Sequence, residues 1–130
     1  MFDEMIIREG TVANLTAVDG VVPGFSFETH VPYYRGLGLS MIETPEVTVD
    51  GEPVASEDLR FSYRGVTRTF AELADVTDVR WELGTFATIT VLREGGLPAG
   101  EHELVVNLRL RVSYLPFLSE NRLTRTVTTS

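Results

Sequence analysis

A period of two runs unbroken through residues 103–114, where Leu104, Val106, Leu108, Leu110, Val112 and Tyr114 alternate with Glu103, Val105, Asn107, Arg109, Arg111 and Ser113. Successive side chains of a strand point to opposite faces, whereas a helix would scatter the same set around its axis. The pattern therefore predicts a long strand with one face in a core, and such a face needs a second layer to cover it.

The same period recurs. Phe25, Phe27, Thr29 and Val31 alternate with Ser26, Glu28 and His30, which predicts a strand with His30 on its polar face. Phe86–Leu92 is rich in β-branched residues, and the glycine- and proline-rich stretch 95–100 reads as the broad loop of a hairpin leading into the long strand. Asp50-Gly51 is a strong signal for a tight turn between Glu46–Val49 and residues 52–54, with Pro53 marking an edge or a strand start. Asp19-Gly20 repeats that signal after a Val12–Val18 strand, and Arg64-Gly65 predicts a turn between Leu59–Tyr63 and Val66–Thr69. One helix is expected, Phe70–Ala74, opened by Thr69 with Glu72 three positions on. Asp78–Glu82 returns to strand, and the threonine-rich segment Leu123–Thr129 reads as a last edge strand. About eight or nine strands and one short helix in 130 residues predict an all-β single domain over 1–130, an antiparallel β-sandwich or flattened barrel.

Composition removes several functional classes. The chain has no cysteine, which excludes a thiolate metal site and a cysteine nucleophile. All eleven basic residues are arginine, so no lysine is available for a Schiff base or a P-loop. A net charge of -8 opposes a nucleic-acid partner. That charge is uneven: residues 1–65 carry eleven acids and four arginines, whereas from Leu104 onward Arg109, Arg111, Arg122 and Arg125 face Glu120 alone. Pairing of these arginines with the acidic half is the simplest expectation. The acidic start Met1–Arg8 lacks the features of a secretory signal and no apolar run is long enough to span a membrane, so a soluble cytoplasmic protein is expected.

Chemistry is sparse. His30 and His102 stand in no metal-ligand spacing and read as solvated surface residues. No G-x-S-x-G occurs, Gly36-Leu37-Gly38 lacks the context of a dinucleotide loop, and acid pairs such as Glu57-Asp58 read as surface carboxylates. Two segments stand out. Residues 31–38 place Tyr33, Tyr34 and Arg35 in a loop bounded by proline and glycine, and tyrosine and arginine are enriched at protein interfaces. Asp78–Glu82 carries the only tryptophan; Trp81 with Val79 suits a core face, and Arg80 is the better interface residue.

The order of these segments is informative. Met1-Phe2-Asp3 with Ile6-Ile7-Arg8, Gly24-Phe25, Pro32–Gly36, Leu39-Ser40, Val47–Gly51, Arg60-Phe61, Asp78–Glu82, Gly95–Leu97 with Gly100, and Ser113–Pro116 together resemble the small β subunit of bacterial C-glycoside deglycosidases. The resemblance implies an accessory subunit of a heteromeric enzyme that cleaves the carbon-carbon bond of 3-oxo-C-glycosides by β-elimination. It implies a large α subunit with a sugar-isomerase-like barrel, which would hold the divalent metal, Mn or Mg, and the base, and no cofactor in the small chain. It carries over no catalytic residue, leaving Tyr33, Tyr34, Arg35, Arg80 and Trp81 as candidates for the partner interface. Two other readings compete: a free-standing carbohydrate-binding sandwich that stacks sugars on Tyr33, Tyr34 and Trp81, and a self-associating structural protein.

Overall fold

A computed structural model describes residues 6–31, 36–111 and 119–129. Among these residues the chain forms eleven strands and one α-helix. The elements are β1 (Ala13–Asn14), β2 (Gly24–His30), β3 (Leu37–Gly38), β4 (Glu46–Val49), β5 (Glu52–Pro53), β6 (Leu59–Tyr63), β7 (Val66–Thr69), α1 (Phe70–Leu73), β8 (Arg80–Trp81), β9 (Phe86–Leu92), β10 (Gly100–Leu110) and β11 (Ser119–Thr129). They build a five-stranded sheet in the order β1-β2-β9-β6-β7, a four-stranded sheet β11-β10-β4-β5 and a two-stranded ribbon β3-β8. All pairings are antiparallel and the sheets do not close, so the arrangement is the expected sandwich and not a barrel. Of these strands β3, two residues in a segment read as a loop, is the one that no spacing predicts, because it is too short to show a period.

The core lies between the two large sheets. Phe25 and Phe27 of β2, Ile89 and Val91 of β9, and Leu59 and Phe61 of β6 face Val47 and Val49 of β4 and Leu104, Val106, Leu108 and Leu110 of β10, all buried. The alternation of residues 104–110 thus sets the inner face as expected; Val112 and Tyr114 lie outside the described residues. Asp50-Gly51 joins β4 to β5 with φ of 51° and 83°, both left-handed, as a type I′ hairpin turn requires. Asp19-Gly20 and Arg64-Gly65 adopt the same conformation. The first of these closes only a Val18–Val21 bridge, so the expected Val12–Val18 strand shrinks to β1. The Thr69 hydroxyl accepts the Glu72 N–H (3.2 Å) while the Glu72 carboxylate accepts the Thr69 N–H (2.7 Å), the capping box that opens α1.

One expectation fails. Residues 93–99 are not a hairpin loop but a crossing between sheets, since β9 pairs with β2 and β6 whereas β10 pairs with β4 and β11. Tertiary anchoring explains the difference: Leu97 is buried, and the Asn14 amide both accepts the Leu97 N–H (2.8 Å) and donates to the Leu97 carbonyl (3.0 Å). A chain held there leaves one layer for the other.

Candidate functional site

The tryptophan segment folds as a short ribbon, with Leu37 opposite Trp81 and Gly38 opposite Arg80. Trp81 is fully buried, edge-on to Phe61 (5.4 Å between centroids, 72°) and 6.5 Å from Tyr63. Its core reading is therefore the one the structure supports; the ring offers this chain's surface nothing, neither as an interface group nor as a sugar platform. Arg80 is exposed, and its Nη2 donates to the Gly36 carbonyl (2.6 Å). Gly36 is the residue that fits there, because a Cβ would approach the Trp81 carbonyl to 2.6 Å. Tyr33, Tyr34 and Arg35 lie outside the described residues.

Residues 82–85, directly after Trp81, form a turn that no sequence signal marks as a site. Three buried side chains hold it. The Trp81 indole N–H donates to the Thr85 carbonyl (3.1 Å), and His30 Nε2 accepts the Gly84 N–H (2.8 Å). The Tyr63 hydroxyl accepts the Glu82 N–H (2.9 Å). The Thr85 hydroxyl gives its proton to the Glu82 carbonyl (2.6 Å), so Tyr63 must donate to Thr85 Oγ1 (2.9 Å). His30 has only 7% of its surface exposed, against the expectation of a solvated residue. The turn and the Phe86 ring, 5.4 Å away, close over the polar face on which its period places it. With Nε2 accepting, Nδ1 donates to the Val31 carbonyl (2.9 Å), which selects one neutral tautomer.

This end of the sandwich presents apolar and cationic groups together. Leu83 at the turn is 51% exposed and Val66, which pairs with Tyr63 across the β6-β7 hairpin, is 47% exposed. The Arg64 guanidinium stands 5.3 Å over the Tyr63 ring. The side chains that hold the turn leave little to reorder on binding, so its exposed leucine suits a contact surface. Among the described residues no three of His, Cys, Asp and Glu converge on one point.

The second histidine has a different role. His102 Nδ1 lies 2.7 Å from the Asp50 carboxylate and Nε2 lies 2.6 Å from the Pro98 carbonyl. Both partners only accept, so both bonds form together when both ring nitrogens carry a proton, as in the imidazolium. The hydrogen bond to Asp50 raises the His102 pKa above its ordinary value, and the same bond, with the Glu103 N–H on Asp50 Oδ1 (2.8 Å), lowers that of Asp50.

Two of the four late arginines, Arg111 and Arg122, pair with acids of the first half, as the charge distribution predicts, and Arg109 bonds to a backbone carbonyl between those acids. Arg109 donates twice to the Thr44 carbonyl (2.7 and 3.1 Å), Arg111 pairs with Glu43, and Arg122 stands 3.6 Å from Glu46. Around them Asn107, 1% exposed, donates to both Glu46 (2.9 Å) and Glu120 (3.0 Å). Among the described residues no helix is long and apolar enough to cross a membrane.

The 3'-dehydrocarminate deglycosidase beta subunit of a Microbacterium species is 35% identical over 117 residues, covering 89% of this chain and 83% of that protein. The C-glycoside deglycosidase beta subunit of Microbacterium trichothecenolyticum is 34% identical over 118 residues (88% and 82%), and that of Eubacterium cellulosolvens 28% over 114 residues (88% and 78%). The pattern that defines one family matches residues 2–114, and the chain belongs to that family, the C-glycoside deglycosidase beta subunit.

Proposed function

We propose that this chain is the accessory subunit of a heteromeric C-glycoside deglycosidase acting on 3-oxo-C-glycosides. The family match over residues 2–114 carries the reading. In the proposed reaction the C3 ketone acidifies the proton at C2, a base removes it, and the electron pair forms the C1–C2 double bond as the aglycone leaves C1 with the bonding pair and takes up a proton. By the family resemblance, the base and the divalent metal, Mn or Mg, are assigned to a large α subunit with a sugar-isomerase-like barrel. The role left to this chain is to hold the large subunit and shape the approach to its pocket.

The end of the sandwich bearing Arg80 and Leu83 is assigned to that contact. Val31 and Gly36, which flank Tyr33, Tyr34 and Arg35 in the chain, both bond at this end, to His30 and Arg80. The test is co-expression with the barrel subunit, size-exclusion chromatography and an assay of aglycone release from a 3-oxo-C-glucoside with each chain alone and together. Co-elution with activity only in the mixture is expected; separate elution with undiminished activity of the large chain alone overturns the assignment. Tyr34→Ala and Arg35→Ala each weaken the complex by at least ~1 kcal/mol while leaving the fold intact, and unchanged affinity in both removes that loop from the interface.

A further inference from the structure

Among the described residues the two large sheets have four outer edges, and three are guarded. β1 and β5 are two residues long, β5 carries Pro53, and β7 has four residues and runs directly into α1. The fourth edge, β11, has eleven residues, no proline and no lysine, and it pairs one-to-one with β10 from Gly100–Thr129 to Leu110–Ser119 without a bulge.

The hydrogen-bond parity of that edge is set by its neighbours. Asp50 N–H donates to the Glu103 carbonyl (2.8 Å), Glu43 N–H to the Arg109 carbonyl (3.0 Å) and Arg111 N–H to the Met41 carbonyl (2.7 Å), so the odd residues of β10 direct their backbone groups toward the β4 side. Its even residues then serve β11, and the register Leu104–Arg125 places those bonds on the odd residues of β11. The N–H and C=O groups of Glu120, Arg122, Thr124, Thr126 and Thr128 point outward, and none of them bonds to another described residue. A row of donors and acceptors repeating every ~7 Å is matched by another extended backbone. Beside it, Gly10 and Val12 with Thr126, Val127 and Thr128 line a groove of about 390 Å³, room for alternate side chains of an added strand.

We propose that β11 receives an extended segment of the partner subunit by β-strand addition, making the four-stranded sheet five-stranded. The occupant is assigned to the partner because the family is a subunit family, and the inference rests on that reading. The family match ends at residue 114, before β11 begins, so the inference goes beyond what that match covers.

Thr124→Pro removes one outward N–H and leaves every bond to β10 in place. The isolated variant keeps the wild-type unfolding midpoint, and its affinity for the partner subunit falls about tenfold or more. Amide exchange on the wild-type complex gives a second readout that does not depend on the variant's folding. The amides of Glu120, Arg122, Thr124, Thr126 and Thr128 exchange fast in the free chain and at least about tenfold more slowly in the complex, while their odd-numbered neighbours are slow in both. Equal binding by Thr124→Pro with unchanged exchange at the five even positions overturns the inference and leaves the subunit assignment standing. Failure of the wild-type chain to bind the partner overturns the assignment itself. Slow exchange at those positions in the free monomer, or a wild-type dimer that Thr124→Pro dissociates without loss of partner affinity, gives the edge to this chain or to a second copy and overturns the inference.

Discussion

The 82–85 turn and the β11 edge treat their backbone in opposite ways. At the turn, Trp81, Tyr63 and His30 each commit a polar atom to the chain's own backbone, and the result is a rigid loop over a packed aromatic cluster. Along β11, five residues direct both backbone groups away from the molecule, where no described residue meets them. Both regions are rich in hydrogen-bonding capacity; they differ in whether buried side chains are close enough to satisfy it. A small sandwich closes where it has side chains to bring to the backbone and stays receptive where it has only a ladder.

That contrast can be broken at its closed end first. Trp81→Ala removes the largest buried side chain from beside Phe61 and Tyr63 and is expected to cost about 3–5 kcal/mol, read as a lower midpoint in urea. Tyr63→Phe keeps the ring and deletes the hydroxyl that binds Glu82 and Thr85. An expected loss of about 1–2 kcal/mol comes with faster exchange of the Glu82 amide; unchanged exchange there would mean the turn is held without it.

The His102 clasp ties the β4-β5 turn to the start of β10. Because the folded-state pKa of His102 is raised above its ordinary 6.5, the clasp contributes fully below about pH 6.5 and is lost as pH rises through the folded value. The Asp50 pKa is lowered from 3.8, so its share is present above about pH 3.8 and is lost as pH falls through the folded value. Stability is therefore expected to decline on the alkaline side of 6.5, and in His102→Gln that decline disappears; a parallel curve in the variant would assign it elsewhere. The smallest effect belongs to the open edge. Thr126→Ala, on the solvent face of β11, should change stability by less than about 0.5 kcal/mol, and a larger loss would show that the face is already covered.

Much of the fold is legible in the amino-acid sequence. The inward set of β10, the turn at Asp50-Gly51, the capping box of α1 and the pairing of Arg111 and Arg122 with the acidic half all arise from spacing and residue type. The candidate site is less legible. Spacing places Arg80 and Trp81 correctly in a strand, but the exposed apolar residue beside them is Leu83, and nothing in Glu82-Leu83-Gly84-Thr85 except a glycine signals a built turn. The groups that hold it come from positions 30 and 63, and the period on β2 points His30 toward water because it says nothing of what later folds over that face.

By itself the sequence determined which side of each strand is apolar and where the chain reverses, because side-chain alternation and left-handed turn residues act over a few bonds. Only the tertiary structure decided that residues 93–99 cross between sheets, that His30 is buried, and that β11 is a long open edge among the described residues. The reason is physical: every residue but proline brings the same backbone donor and acceptor to a ladder, so strand partners are chosen by which apolar faces can cover one another across the whole chain.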